Sequence, residues 1–98
     1  MKYTHSQSLP KHFYRNFWLI TEKAGKQQAQ HYADIVSAGR IVDQKLFDYK
    51  GCEVYYDGFV YAKYHWVVKG YDPDYNNLCG RQDSIEHILS DIDEIMDN

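Results

Sequence analysis

Cysteine and proline are scarce in this 98-residue chain, with two of each, and no stretch reaches the roughly 18 consecutive apolar residues of a membrane-spanning helix. Two cysteines, Cys52 and Cys79, are too few for a disulfide scaffold. No CxxC pair is present, which excludes a zinc ribbon. Free thiols in a reducing compartment are the simpler expectation, with a single bridge the alternative. The opening Met1-Lys2-Tyr3-Thr4-His5-Ser6-Gln7-Ser8 is polar and lacks the apolar centre of a signal peptide, so the expected location is cytoplasmic. Neither GxGxxG nor GxxxxGK[ST] occurs, which removes the usual phosphate cradles. Bases are not in excess either. Eleven Lys and Arg stand against 14 Asp and Glu, a net charge of −3, which excludes a generic basic wrapper of nucleic acid. The 44% hydrophobic content excludes a disordered chain. At this length the expectation is one domain over residues 1–98.

Tyrosine is abundant: ten residues, beside four Phe and two Trp, and seven of the ten tyrosines fall within residues 49–75. Charge is divided along the chain. Residues 1–50 carry eight bases and four acids, whereas residues 51–98 carry three bases and ten acids, with no base after Arg81. Such a split makes either an acidic contact surface or an internal neutralisation of one half by the other.

Leu9, Phe13, Phe17, Ile20 and Ala24 recur at helical spacing, and Ala29, Tyr32, Ala33 and Val36 continue an apolar face up to Gly39. Ser8 ahead of Leu9-Pro10 fits an N-cap, and Glu22–Lys26 fits an i,i+4 pair. The pattern predicts helix over about 9–38, either continuous or broken near Thr21–Gly25. The rival reading makes Phe13–Ile20 a strand. Val, Tyr, Phe and Trp then dominate, and Gly51 and Asp57-Gly58 divide the run into strands near 42–49, 52–56 and 59–69. Ile85, Ile88, Leu89, Ile92, Ile95 and Met96 form a helical stripe, predicting a helix over about 84–96. Asp83 is its expected N-cap and Glu86 its capping-box partner. The order defines an α+β fold: an N-terminal helix or helix pair, a three-stranded antiparallel meander and an acidic amphipathic C-terminal helix.

A two-residue Asp57-Gly58 turn would place Cys52, Val54, Tyr56, Phe59, Tyr61, Lys63, His65 and Val67 on one face. Glu53, Tyr55, Val60, Ala62, Tyr64, Trp66 and Val68 would share the other, the better core candidate. Tyr56, Phe59, Tyr61, Lys63 and His65 then become the candidate anchors of a partner surface, since aromatics with a polar tip suit interfaces. Asp91, Glu94 and Asp97 become its acidic rim, and a homodimer is compatible with such a surface. The competing explanation covers both faces with helices and leaves every aromatic structural.

The chemical motifs are weak. Asp72, Asp74, Asn76 and Asp83 fall at positions 1, 3, 5 and 12 of a calcium loop, but Asn77 replaces the glycine the loop requires. Ordinary turn chemistry explains the same residues. His5, His12, His31, His65 and His87 show no metal-ligand spacing, and no motif supports a Cys79–His nucleophile pair. Neither an enzyme nor a resident cofactor or metal is expected. Lys11, Arg15, Lys23 and Lys26, interleaved with Tyr14 and Trp18, offer nucleic-acid binding as the alternative function.

Tyr49-Lys50-Gly51, Val54-Tyr55-Tyr56, Val68-Lys69-Gly70-Tyr71-Asp72 and Ile92-Asp93 resemble a small ββα unit of phage and prophage accessory proteins, here spanning residues 48–93. In size, acidity and aromatic content the chain also resembles anti-CRISPR-type inhibitors. The shared motifs are turn chemistry, so the resemblance implies a role and no particular site residue. That role is a non-enzymatic inhibitor of a host or defence protein, its acidic helix steering it toward a basic, nucleic-acid-binding target.

Overall fold

The computed structural model describes residues 12–39, 42–58, 61–72, 74 and 78–97. Two helices, α1 (Phe13–Ala24) and α2 (Lys26–Ser37), precede four strands, β1 (Lys45–Tyr49), β2 (Cys52–Tyr56), β3 (Tyr64–Val68) and β4 (Cys79–Gln82), and helix α3 (Ile85–Met96) follows. The class is α+β, with one strand more than the sequence predicts.

Residues 13–20 are helical, so the strand alternative is set aside. The break falls at Gly25, whose φ of 103° and ψ of 160° belong to a region open almost only to glycine. Its N–H closes α1 onto the carbonyls of Ile20 and Thr21, and its own carbonyl receives Ala29 N–H at 3.1 Å to open α2. The turn redirects the chain, and no Glu22–Lys26 ion pair forms among the described residues. The expected Ser8 cap lies outside the described residues.

The sheet is antiparallel in the order β1-β2-β3-β4. Lys50 and Gly51, both at positive φ, form the two-residue turn between β1 and β2, as primed hairpin turns require. Asp57-Gly58 does not make the second one. Tyr56 pairs with Tyr64 and Cys52 with Val68, so the connection is seven residues long, from 57 to 63, and β3 begins at Tyr64 rather than near 59. Asp57 N–H bonds to the Lys63 carbonyl at 2.7 Å, closing a wide loop instead of a tight turn. The odd length reverses the parity of β3 against β2. Cys52, Val54 and Tyr56 therefore share a face with Tyr64, Trp66 and Val68, and Tyr55 shares the other with His65 and Val67. β1 starts at Lys45, later than expected, and Val42 makes only an isolated bridge to Tyr56.

β4 runs through the segment considered as a calcium loop. Residues 73 and 75–77 lie outside the described set. Among the described ones, Asp72 accepts the Asp74 N–H, an ordinary turn, and Asp83 accepts the Ala62 N–H. Ser84, not Asp83, caps α3 by accepting the His87 N–H at 3.2 Å. Glu86 is thereby moved out of the capping-box position and reaches Arg15 on α1 instead.

All three helices pack on one side of the sheet. Ile20, Tyr32 and Val36 from α1 and α2, with Ile85, Ile88 and Ile92 from α3, enclose Phe47, Val54, Trp66 and Cys52 in one core. A bulge between Lys45 and Phe47 lets Leu46 and Phe47, neighbours in sequence, both become fully buried. Trp66 is completely buried, with its indole N–H donating to Asp91 Oδ2 at 2.8 Å. Gly80 lies against that pair: a Cβ there would stand 2.7 Å from both the indole nitrogen and the carboxylate. On the free side of β1, the Asp48 N–H donates to Gln28 Oε1 at 2.8 Å, and the Lys45 carbonyl accepts from His31 Nε2 at 3.0 Å. Both partners belong to α2.

Candidate functional site

The helix-free side of the sheet is the candidate surface. Strand alternation brings Lys45, Asp48, Glu53, Tyr55, His65 and Arg81 to it, and α2 flanks it only along the β1 edge, at Lys45 and Asp48. Tyr55 and His65 sit opposite one another on the two central strands, and their rings stack at 4.9 Å and 6°. His65 Nδ1 lies 2.7 Å from Asp57 Oδ1, and Arg81 donates to Asp57 Oδ2 at 2.7 Å. The Asp57 carboxylate, only 9% exposed, is thus clamped between two donors and fixes the imidazole against Tyr55. With Nδ1 as the donor, a neutral His65 keeps its lone pair on Nε2. On the other flank Tyr55 donates to Glu53 Oε1 at 3.2 Å. Burial, followed by the Glu53 charge, raises the Tyr55 hydroxyl above the ordinary tyrosine range. Lys45 bridges Asp48 at 3.3 Å and Glu53 at 3.8 Å. An aromatic centre held between two rows of paired charges is a rigid, amphipathic platform.

The sequence-derived anchors divide. His65 lies on this platform, while Tyr61, 80% exposed, and Lys63 stand in the loop at its end. Tyr56 is on the opposite, helix-facing side, its ring edge-on to Tyr64 at 5.2 Å. The cause is the seven-residue connection described above. Phe59 lies outside the described residues. Tyr55 and Arg81 join the surface although sequence reasoning assigned the first to the core and the second to a loop. Only the strand register would have revealed them.

Of the acidic rim, Asp91 receives the Trp66 indole, and Asp97 pairs with Lys50 at 2.6 Å. Glu94 is exposed on α3. Between Asp91 and Glu94 stands Asp93, which accepts from Lys23 at 2.7 Å, Lys50 at 2.8 Å and the Tyr49 hydroxyl at 2.5 Å. Partial burial opposes its charge, but hydrogen bonds from Lys23, Lys50 and Tyr49 prevail and hold the carboxyl well below the usual carboxylate range. Hydrogen bonds to Asp93 and Asp97 keep the Lys50 ammonium above the ordinary lysine range. Arg15 contacts Glu86. The divided charge of the chain is therefore in part neutralised internally: Glu86, Asp93 and Asp97 draw counter-charges from α1 and the β1–β2 turn. Arg15 and Lys23, on which the nucleic-acid alternative relies, are both held this way. Lys11 lies outside the described residues.

Among the described residues, no group of three His, Cys, Asp or Glu side chains converges on a metal-sized site. Cys52 is buried in the core, and burial raises its thiol above the ordinary range; Cys79 is exposed on β4. Two open cavities of about 290 Å³ each adjoin Asp48 and share Gln28: one lies between α2 and β1, the other between the end of α1 and the β1–β2 turn. Among the described residues no helix is long and apolar enough to cross a membrane. No protein-family model, curated protein or solved structure matches the chain.

Proposed function

We propose that this chain is a non-enzymatic protein-binding domain that docks its helix-free sheet face on a partner protein. In that role it acts as a small phage- or mobile-element-encoded inhibitor of a host or defence protein, the anti-CRISPR-like part its composition suggests. The observation that supports the reading is the stacked Tyr55–His65 pair, held rigid by Asp57, Arg81 and Glu53 on a face where no helix packs. Preorganised aromatics of this kind lose little side-chain entropy on binding and serve as interface anchors. Tyr61 and Lys63 extend the contact from the adjoining loop.

The test is affinity capture from host lysate with the intact chain and a Tyr55→Ser/His65→Ser variant, each checked for an unchanged melting temperature. The expected result is a partner retained by the first and lost by the second. A partner held equally by both would refute the sheet-face reading.

A further inference from the structure

Helix α1 buries Phe13, Asn16 and Ile20, and turns a second stripe outward. Tyr14 is 74% exposed and Trp18 60% exposed. With Glu22, also exposed, they stand at i, i+4 and i+8 along one side of the helix, about 12 Å from end to end. Tyr14 is braced edge-on against the buried Phe13 at 5.1 Å. Large aromatics exposed in sequence on one helix face go beyond the single scattered apolar side chains of an ordinary surface.

The charges around the stripe decide what it fits. Arg15 is turned to Glu86, and Lys23 to Asp93. Lys26 belongs to α2, beyond the break at Gly25, and makes no ion pair with Glu22. Among the described residues Glu22 has no ionic partner, so the one uncompensated charge in the stripe is negative and sits a turn from an open indole face. An indole and a carboxylate at that spacing suit a guanidinium, which stacks on the ring while pairing with the acid. A phosphate backbone would meet repulsion there. A second copy of this chain would bring the same acid, and two aromatics bury at most about 500 Å², short of the roughly 800 Å² per partner of a stable dimer.

We propose that Tyr14, Trp18 and Glu22 form a second docking surface, for a short arginine-bearing segment of a partner protein. It lies on α1, in the layer opposite the open sheet face, and does not depend on that face binding anything.

The two tryptophans make the test direct, because Trp66 is fully buried and serves as an internal control. Hepta-arginine is titrated into ¹⁵N-labelled protein, and the two indole N–H resonances are followed. The expected result is a saturable shift of the Trp18 signal with the Trp66 signal fixed. Glu22→Gln should weaken the apparent affinity threefold or more, while Asp74→Asn, an equal loss of charge at an exposed residue between β3 and β4, leaves it within a factor of 1.5. An unmoved Trp18 signal, equal weakening by the two variants, or a stronger response to a ten-nucleotide oligothymidine would overturn the proposal. The Trp66 resonance, unchanged in each variant, certifies that the fold is intact.

Discussion

Asp93→Ala should remove the joint that ties α3 to the rest of the molecule. The carboxylate takes three donors, and they are unequal. Lys23 and Lys50 are flexible surface cations, and such pairs contribute little. The Tyr49 hydroxyl is different: the residue is only 6% exposed, and its bond to Asp93 is a short, charge-assisted one at 2.5 Å. A hydrogen bond to a charged group is worth about 1.5–3 kcal/mol, and partial exposure of the carboxylate places this one at the lower end. The expected loss is about 2 kcal/mol, or a fall of roughly 8–16 °C in melting temperature for a domain of this size. Tyr49→Phe breaks the same bond, so the double variant should lose about 1 kcal/mol less than the sum of the two single losses. The pH dependence has a fixed sign. The folded carboxyl titrates below its unfolded value of about 3.9, so its contribution is complete above pH 4 and declines as the pH falls toward the folded value. Urea titrations of wild type and variant should therefore differ by a constant amount from pH 7 to 5 and converge below pH 4. A difference under 0.5 kcal/mol at pH 7, or one that does not shrink in acid, would refute this account of the joint.

Asp91→Ala leaves the Trp66 indole N–H buried without an acceptor and should cost about 1–3 kcal/mol, whereas Asp91→Asn, which keeps an acceptor oxygen, should cost less than half as much; chemical denaturation distinguishes them. Gly80→Ala sets a methyl 2.7 Å from the same indole and carboxylate, so about 1–3 kcal/mol of destabilisation and altered near-ultraviolet dichroism from Trp66 are expected; an unchanged spectrum would contradict the packing. Gly25→Ala meets no atom within 4 Å, yet it forces a non-glycine residue to φ 103°; a loss of about 1–3 kcal/mol in thermal unfolding would show that backbone strain alone enforces the break.

The elements legible in the sequence are those in which one local signal dominates. The stripe from Ile85 to Met96 is so regular that α3 follows from periodicity alone, and its cap shifts by one residue because Asp83 and Ser84 are both good caps. Gly25 stands where a break was one of two options, and its dihedral angles explain the choice. Long-range pairing is where legibility fails. Cys79-Gly80-Arg81-Gln82 contains no β-branched or aromatic residue, so nothing local marks it as a strand; it is recruited by the edge of β3 and by Trp66, which needs a residue without a side chain above its indole. Asp57-Gly58 carries a strong local turn signal that is overridden because the Asp57 carboxylate is committed to His65 and Arg81. That single change of loop length moves Tyr56 inward and Tyr55 outward, and with them half of the candidate surface. The charge split was readable, but the pairing of Glu86, Asp93 and Asp97 with α1 and the first turn required the tertiary contacts.

The contacts of Gln28 and His31 with β1 carry one more consequence. An amide oxygen on the Asp48 N–H and an imidazole nitrogen on the Lys45 carbonyl occupy the positions that the backbone of an adjoining strand would take. Two side chains from α2 thus impersonate a neighbour, and an outside strand would have to evict both before it could pair there. Raising the protein concentration should not drive chain-to-chain sheet growth across this border while α2 remains docked. The helix serves the sheet twice, as a lid over the core and as a plug along its first margin.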